Sequence, residues 1–280
     1  MIRPRVLILH ADGTNRDHDA ARAFELAGAQ SEIVHLNQLR ARERRWGDYQ
    51  ILALPGGFSY ADTLGAGRLW ALDLRVYFAE EMSAFVASGK PVIGICNGFQ
   101  ALVKSGWLPG LTPYPPGPPP PSPEPELRFR RGGRGGEEAT LTFNAAGRFE
   151  CRWVTLAPQS QKCVWTRGLQ EPIECPVAHG EGNFVLRDAA LLDTFRANDQ
   201  IALVYARPDG TPAQGAYPQN PNGSVADIAG ICNPQGNVLG LMPHPEDHVV
   251  AYQHPRWTRG ETRGLGLRLF ENGVRYAAQF

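Results

Sequence analysis

The chain has no net charge: 28 basic side chains offset 28 acidic ones over 280 residues. A balanced surface gives no global pull toward nucleic acid or toward an anionic membrane. No apolar run is long enough to span a bilayer. Met1-Ile2-Arg3-Pro4 leads straight into Arg5-Val6-Leu7-Ile8-Leu9, which leaves no room for a secretory leader before the first strand. No Cys-x-x-Cys pair occurs. The five cysteines, odd in number, fit a reducing compartment, and Cys151, Cys163, Cys175 and Cys232 read as packed thiols, not as a metal cage. The Gly-x-x-x-x-Gly-Lys-Ser/Thr phosphate loop is also missing, since Gly89-Lys90 runs into Pro91 and reads as a turn. His244 and His248 flank Glu246, but the His-Glu-x-x-His zinc spacing is absent and no third ligand is evident, so no metal is expected. There is no internal repeat. These absences lead to the expectation of a soluble, cytoplasmic chain that binds no nucleic acid and no membrane.

Short buried-strand patterns alternate with helical ones in the first half: a strand to about His10, a helix from about Arg16, strands over 31–36 and 49–54, and one long helix over 69–86. Repeated βα units imply a mostly parallel sheet with right-handed crossovers. The second half is β-rich, with strands expected at 139–143, 149–156, 173–177, 183–186, 201–205 and 228–232, and a closing helix over about 262–278. The whole chain, 1–280, is read as one domain. It is interrupted at about 112–137 by a proline-, arginine- and glycine-rich surface insertion whose proline tract is expected to be extended polyproline II.

Gly94-Ile95-Cys96-Asn97-Gly98 is the most informative stretch, because it sets a cysteine where a buried strand switches to a helix. Flanking glycines permit the sharp bend, and the N–H groups that open the helix can receive negative charge. A nucleophile needs a base, and His244-Pro245-Glu246 supplies one after another strand-like run, Val238 to Met242. The imidazole takes the thiol proton, and the carboxylate fixes the ring's tautomer. Both motifs end strands, so both reach the sheet rim where ligands gather. Pro55-Gly56-Gly57 follows a third strand, and the N–H groups of Gly57 and Asn97 are candidate oxyanion donors. Ser59 is a weaker rival nucleophile, because Gly56 and Gly57 separate it from the strand.

Cys96, His244 and Glu246 in these contexts resemble the class I, triad-type glutamine amidotransferases. Longer strings sharpen the resemblance: Gly13-Thr14-Asn15, Pro55 to Asp62 with Leu64 to Gly67, Gly94 to Gln100, Gly147 to Trp153, Ala178 to Gly182 and Met242 to Glu246. Within that class they are similar to the glutaminase subunits of phosphoribosylformylglycinamidine synthases, with departures at Arg16, often a cysteine, and at Ala61, often a glycine. The resemblance implies a three-layer, flavodoxin-like α/β fold with helices on both faces of the central sheet, and hydrolysis of glutamine to glutamate and ammonia through a cysteinyl thioester. It implies ammonia delivery to an ATP-dependent synthetase subunit in purine biosynthesis, with ATP and Mg on that partner, no cofactor in this chain and a small accessory subunit in the complex. It also makes Gln100, His179 and Glu181 candidate substrate contacts. Two other readings remain open: a cysteine hydrolase of the DJ-1 or intracellular-peptidase type, which lacks a His-Pro-Glu segment, and a non-catalytic scaffold that uses the proline tract.

Overall fold

The computed structural model describes residues 3–111, 138–263 and 265–280. The first half comprises β1 (Arg5–His10), α1 (Asp17–Leu26), β2 (Gln30–His35), α2 (Leu36–Arg40), β3 (Ile51–Leu54), α3 (Arg68–Val76), α4 (Ala79–Ala87), β4 (Val92–Ile95) and α5 (Asn97–Lys104). The second comprises β5 (Ala139–Thr142), β6 (Glu150–Pro158), β7 (Ile173–His179), β8 (Asn183–Leu186), α6 (Ala190–Ala197), β9 (Ile201–Ala206), β10 (Ile228–Cys232), β11 (Val238–Leu241) and α7 (Leu267–Ala277). Among the described residues, no helix is long and apolar enough to cross a membrane.

A nine-stranded sheet runs β2-β1-β3-β4-β11-β10-β9-β6-β7, and β5 pairs with β8 in a separate antiparallel ribbon. The pairings from β2 through β11 are parallel, and those from β11 through β7 are antiparallel. All residues of β3, β4, β10 and β11 are buried, as expected of strands covered on both faces. The chain crosses from β1 to β2 in one direction and from β3 to β4 in the other. Right-handed crossovers therefore put α1 and α3–α4 on opposite faces. Consistent with two helix layers, α1 packs on α7 and α3 packs on α5. Phe24 of α1 meets Phe270 of α7 edge-on at 5.1 Å between ring centroids.

Several boundaries differ from the sequence pattern. The single helix expected over 69–86 is two, because the chain bends at Tyr77-Phe78 and Phe78 turns into the core against Trp46, 5.6 Å between centroids. Burying that ring outweighs the continuity of helical periodicity. β3 starts only at Ile51, since Trp46–Asp48 forms a short 3-10 turn. The closing helix begins at Leu267, and α6 was not anticipated. Cys151 is exposed where a packed thiol was expected, because it lies on the outward face of β6. The proline-rich insertion expected at about 112–137 lies outside the described residues.

Candidate active site

β3, β4 and β11 are neighbours in the parallel half, with Leu54 opposite Gly94 and Leu241 opposite Ile95. Their carboxyl ends share one rim, so Gly56-Gly57, Cys96 and His244 arrive together although they are distant in the chain. The Cys96 N–H donates to the Leu241 carbonyl at 2.7 Å, which ties the cysteine turn to the strand that leads to His244. Cys96 has φ 49° and ψ −104°, outside the ordinary wells of an L residue, as a sharp strand-to-helix elbow requires. Gly98 permits that elbow: a Cβ there would lie 2.0 Å from the Leu54 carbonyl oxygen. The close backbone approach of α5 to β3 therefore demands glycine.

His244 and Glu246 are almost wholly buried, and Nδ1 lies 2.7 Å from Glu246 Oε1. Burial opposes the imidazolium, but the Glu246 carboxylate and the Cys96 sulfur outweigh it and hold the ring well above the usual histidine range. The Cys96 side chain interacts with His244, while the sulfur also lies 3.9 Å from the Ala178 carbonyl oxygen. β7 packs against the 3-10 turn Pro245–His248, and the His244 N–H donates to the Pro176 carbonyl at 2.9 Å. The structure thus brings the side chains of Cys96, His244 and Glu246 together. His248 turns away, its Nδ1 2.5 Å from the Glu174 carbonyl oxygen, so the two histidines around Glu246 do not converge.

The other wall is the Gly56-Gly57 turn. Gly56 presses so closely on the pair that a Cβ would stand 2.6 Å from His244 Cε1 and 3.4 Å from Cys96 Cβ. Among the described residues, neither the Gly57 N–H nor the Asn97 N–H donates a hydrogen bond within the protein. The Asn97 side chain is fixed on every side: Oδ1 accepts from the Ser59 N–H at 3.2 Å and from the Ser59 hydroxyl, and Nδ2 donates to Asp62 and Gln100 at 3.0 Å each. Ser59 is therefore engaged in holding Asn97.

The three candidate substrate contacts fall on one connected wall. Gln100 Nε2 donates to the Glu181 carbonyl at 2.7 Å, which joins α5 to the segment after β7. Glu181 accepts from the Ala66 N–H at 3.2 Å and pairs with Lys104 at 3.5 Å. His179 is 3% exposed, and among the described residues neither ring nitrogen has a hydrogen-bond partner on another residue. Burial, with the neighbouring His244 charge, pushes its pKa down to about 3, so the ring stays neutral.

The motif reading did not mention Asp247 and noted Arg16 only as a departure from the family pattern. Asp247 follows Glu246 in the turn, and Arg16, at the start of α1, reaches it at 3.5 Å. Burial and the Glu246 charge push the Asp247 carboxyl up to about 6. The signal for Asp247 was its adjacency to Glu246. For Arg16 it was the departure from cysteine, which only the fold connects to residue 247.

Similarity to known proteins places the chain in the class of glutamine amidotransferases. Residues 3–277 match the family of CobB/CobQ-like glutamine amidotransferase domains, and the chain belongs to that family. More particularly, it is 55% identical over 278 residues to phosphoribosylformylglycinamidine synthase subunit PurQ of Treponema denticola, covering 98% of this chain and 99% of that one. The PurQ subunit of Dehalococcoides mccartyi is 41% identical over 282 residues, covering all of both chains. Among solved structures, a chain of PurLQS from Thermotoga maritima superposes with a TM-score of 0.69 at 29% identity, covering 98% of this chain and 99% of that one.

Proposed function

We propose that Cys96, His244 and Glu246 are the catalytic triad of a glutaminase, and that the chain is the glutaminase subunit of a phosphoribosylformylglycinamidine synthase in purine biosynthesis. The observation that carries this reading is the buried 2.7 Å pair of His244 and Glu246 beside a cysteine on a strained elbow. A cysteine hydrolase of the DJ-1 or intracellular-peptidase type lacks a His-Pro-Glu segment after a late strand, so Glu246 discriminates against that reading.

In the proposed sequence, the Cys96 thiol gives its proton to His244, and the sulfur attacks the side-chain amide carbon of glutamine. The carbonyl oxygen becomes an oxyanion between the N–H groups of Gly57 and Asn97, where losing one such donor commonly costs about 3 kcal/mol of barrier. Collapse breaks the carbon–nitrogen bond, and His244 returns the proton to the departing ammonia. The glutamyl thioester left on Cys96 is then hydrolysed by water that His244 deprotonates, releasing glutamate. Glu246 holds the imidazole in one tautomer and stabilises its charged form. Gln100, Glu181 and His179 line the side from which glutamine is held. The chain needs no cofactor for these steps. Ammonia passes to a synthetase subunit that carries ATP and Mg, with a small accessory subunit completing the complex in the cytoplasm.

The test is Cys96→Ala in the assembled complex. Glutamine-dependent synthesis should vanish, while synthesis from added ammonia persists. Undiminished glutamine hydrolysis in that variant would exclude Cys96 as the nucleophile.

A further inference from the structure

Beyond the triad, we propose that Asp247 and Arg16 are positioning residues that set the basicity of His244: a second carboxylate beside Glu246, steadied by one arginine, strengthens the hold of the imidazole on the thiol proton. The proposal rests on the glutaminase reading and deepens it.

The geometry is compact. One ligand atom each from His244, Glu246 and Asp247 lies within 4.8 Å of the others. At that range, with the groups largely buried, a carboxylate charge acts on the imidazole with little screening. Glu246 offers Oε1 to the ring, and among the described residues Oε2 is buried without a hydrogen-bond partner. The facing cation comes from α1, where Arg16 bridges Asp19 at 3.0 Å and Asp247 at 3.5 Å. The Arg16 N–H also donates to the Gly56 carbonyl at 3.3 Å. One residue thus touches Asp247, the neighbour of Glu246, through its guanidinium and the glycine turn through its backbone.

The other groups around Asp247 can be named. Asp19 faces it from α1, Cys175 from β7, and His244 and Glu246 from its own segment. The chain leading into α7 packs through Gly266 on Pro245 and brings no charge to that contact. Among these, Arg16 is the permanent cation. Burial and Glu246 raise Asp247 to about 6, so its charge is lost within the working range of a histidine base. Above that point two carboxylates favour the imidazolium. Below it one remains, and His244 becomes a weaker base.

The experiment is the pH dependence of kcat/KM for glutamine hydrolysis by the assembled complex, over about pH 5 to 8. The parent should lose activity on the acid side through an ionisation near 6 in addition to that of the reacting pair. Asp247→Asn should lack that ionisation and fall about tenfold at neutral pH, the equivalent of one unit of basicity. Arg16→Ala should move it upward by roughly one unit, and Arg16→Lys should restore most of the shift. Profiles of Asp247→Asn and Arg16→Ala that superimpose on the parent would overturn the proposal. A carboxyl-carbon NMR titration of the parent with the Asp247 inflection below about 4 would overturn it without any variant. Cys96→Ala separates the two ideas: if it still hydrolyses glutamine, the glutaminase reading fails. If it does not, and the Asp247→Asn profile is unchanged, this inference alone fails.

Discussion

Gly56→Ala puts the geometry of the site under direct strain. The added Cβ would stand 2.6 Å from His244 Cε1, 3.3 Å from Nδ1 and 3.4 Å from Cys96 Cβ, against ordinary contacts of 3.4–4 Å. The imidazole must therefore retreat by 0.8 Å or more along that line, the difference between 3.4 and 2.6 Å. It cannot do so freely, because Glu246 holds Nδ1 at 2.7 Å and the ring is 2% exposed. Misplacing a reacting group by about 1 Å commonly costs around 10²-fold in rate, so kcat/KM for glutamine should fall by about that factor. Overpacking a buried site costs about 1–3 kcal/mol, so the thermal midpoint should drop only modestly. Gly47→Ala is the matched control, since a Cβ there meets nothing within 4 Å and both quantities should hold. The assay is glutamate release by the complex, read beside ammonia-driven synthesis and a melting curve. A folded Gly56→Ala complex that keeps kcat/KM within about threefold of the parent would refute the reasoning.

Two further outcomes follow from the same site. Glu246→Gln keeps the shape but removes the charge that favours the imidazolium, and should lower kcat by roughly 10³-fold or more with KM little changed. Equal loss of ammonia-driven synthesis would instead indicate a folding or assembly defect. His179 contributes to stability with a definite sign. Its folded pKa of about 3 lies below the ordinary 6.5, so only the unfolded chain takes the proton between those values. Folding free energy should therefore decline as pH falls from about 6.5 toward 3, by at most about 5 kcal/mol from this group. His179→Phe should flatten that decline in denaturant titrations at stepped pH, and an unchanged slope would show that the ring is not held neutral.

The grouping proposed as catalytic was legible because each part sits where a short apolar strand meets glycine or proline. Those junctions announce themselves locally: β4 before Cys96, β11 before His244, β3 before Gly56. β10 falls where the apolar pattern puts it, over Ile228–Cys232. Tertiary burial was not legible. The bend at Tyr77-Phe78 exists because Phe78 has a cavity to fill beside Trp46, and no local periodicity reports that. The Ser59–Asn97–Gln100 network was hidden for a related reason. Each residue has an innocuous local reading, and only the approach of the segment after β3 to α5 shows that they hold one another. Arg16 and Asp247 are the extreme case, since a pairing across 231 positions leaves no trace in either neighbourhood.

The 2.7 Å bond from the Cys96 amide to the Leu241 carbonyl stitches nucleophile and base to a common seam. Any tilt of one strand end carries the other with it, so sulfur and imidazole move as a single jaw.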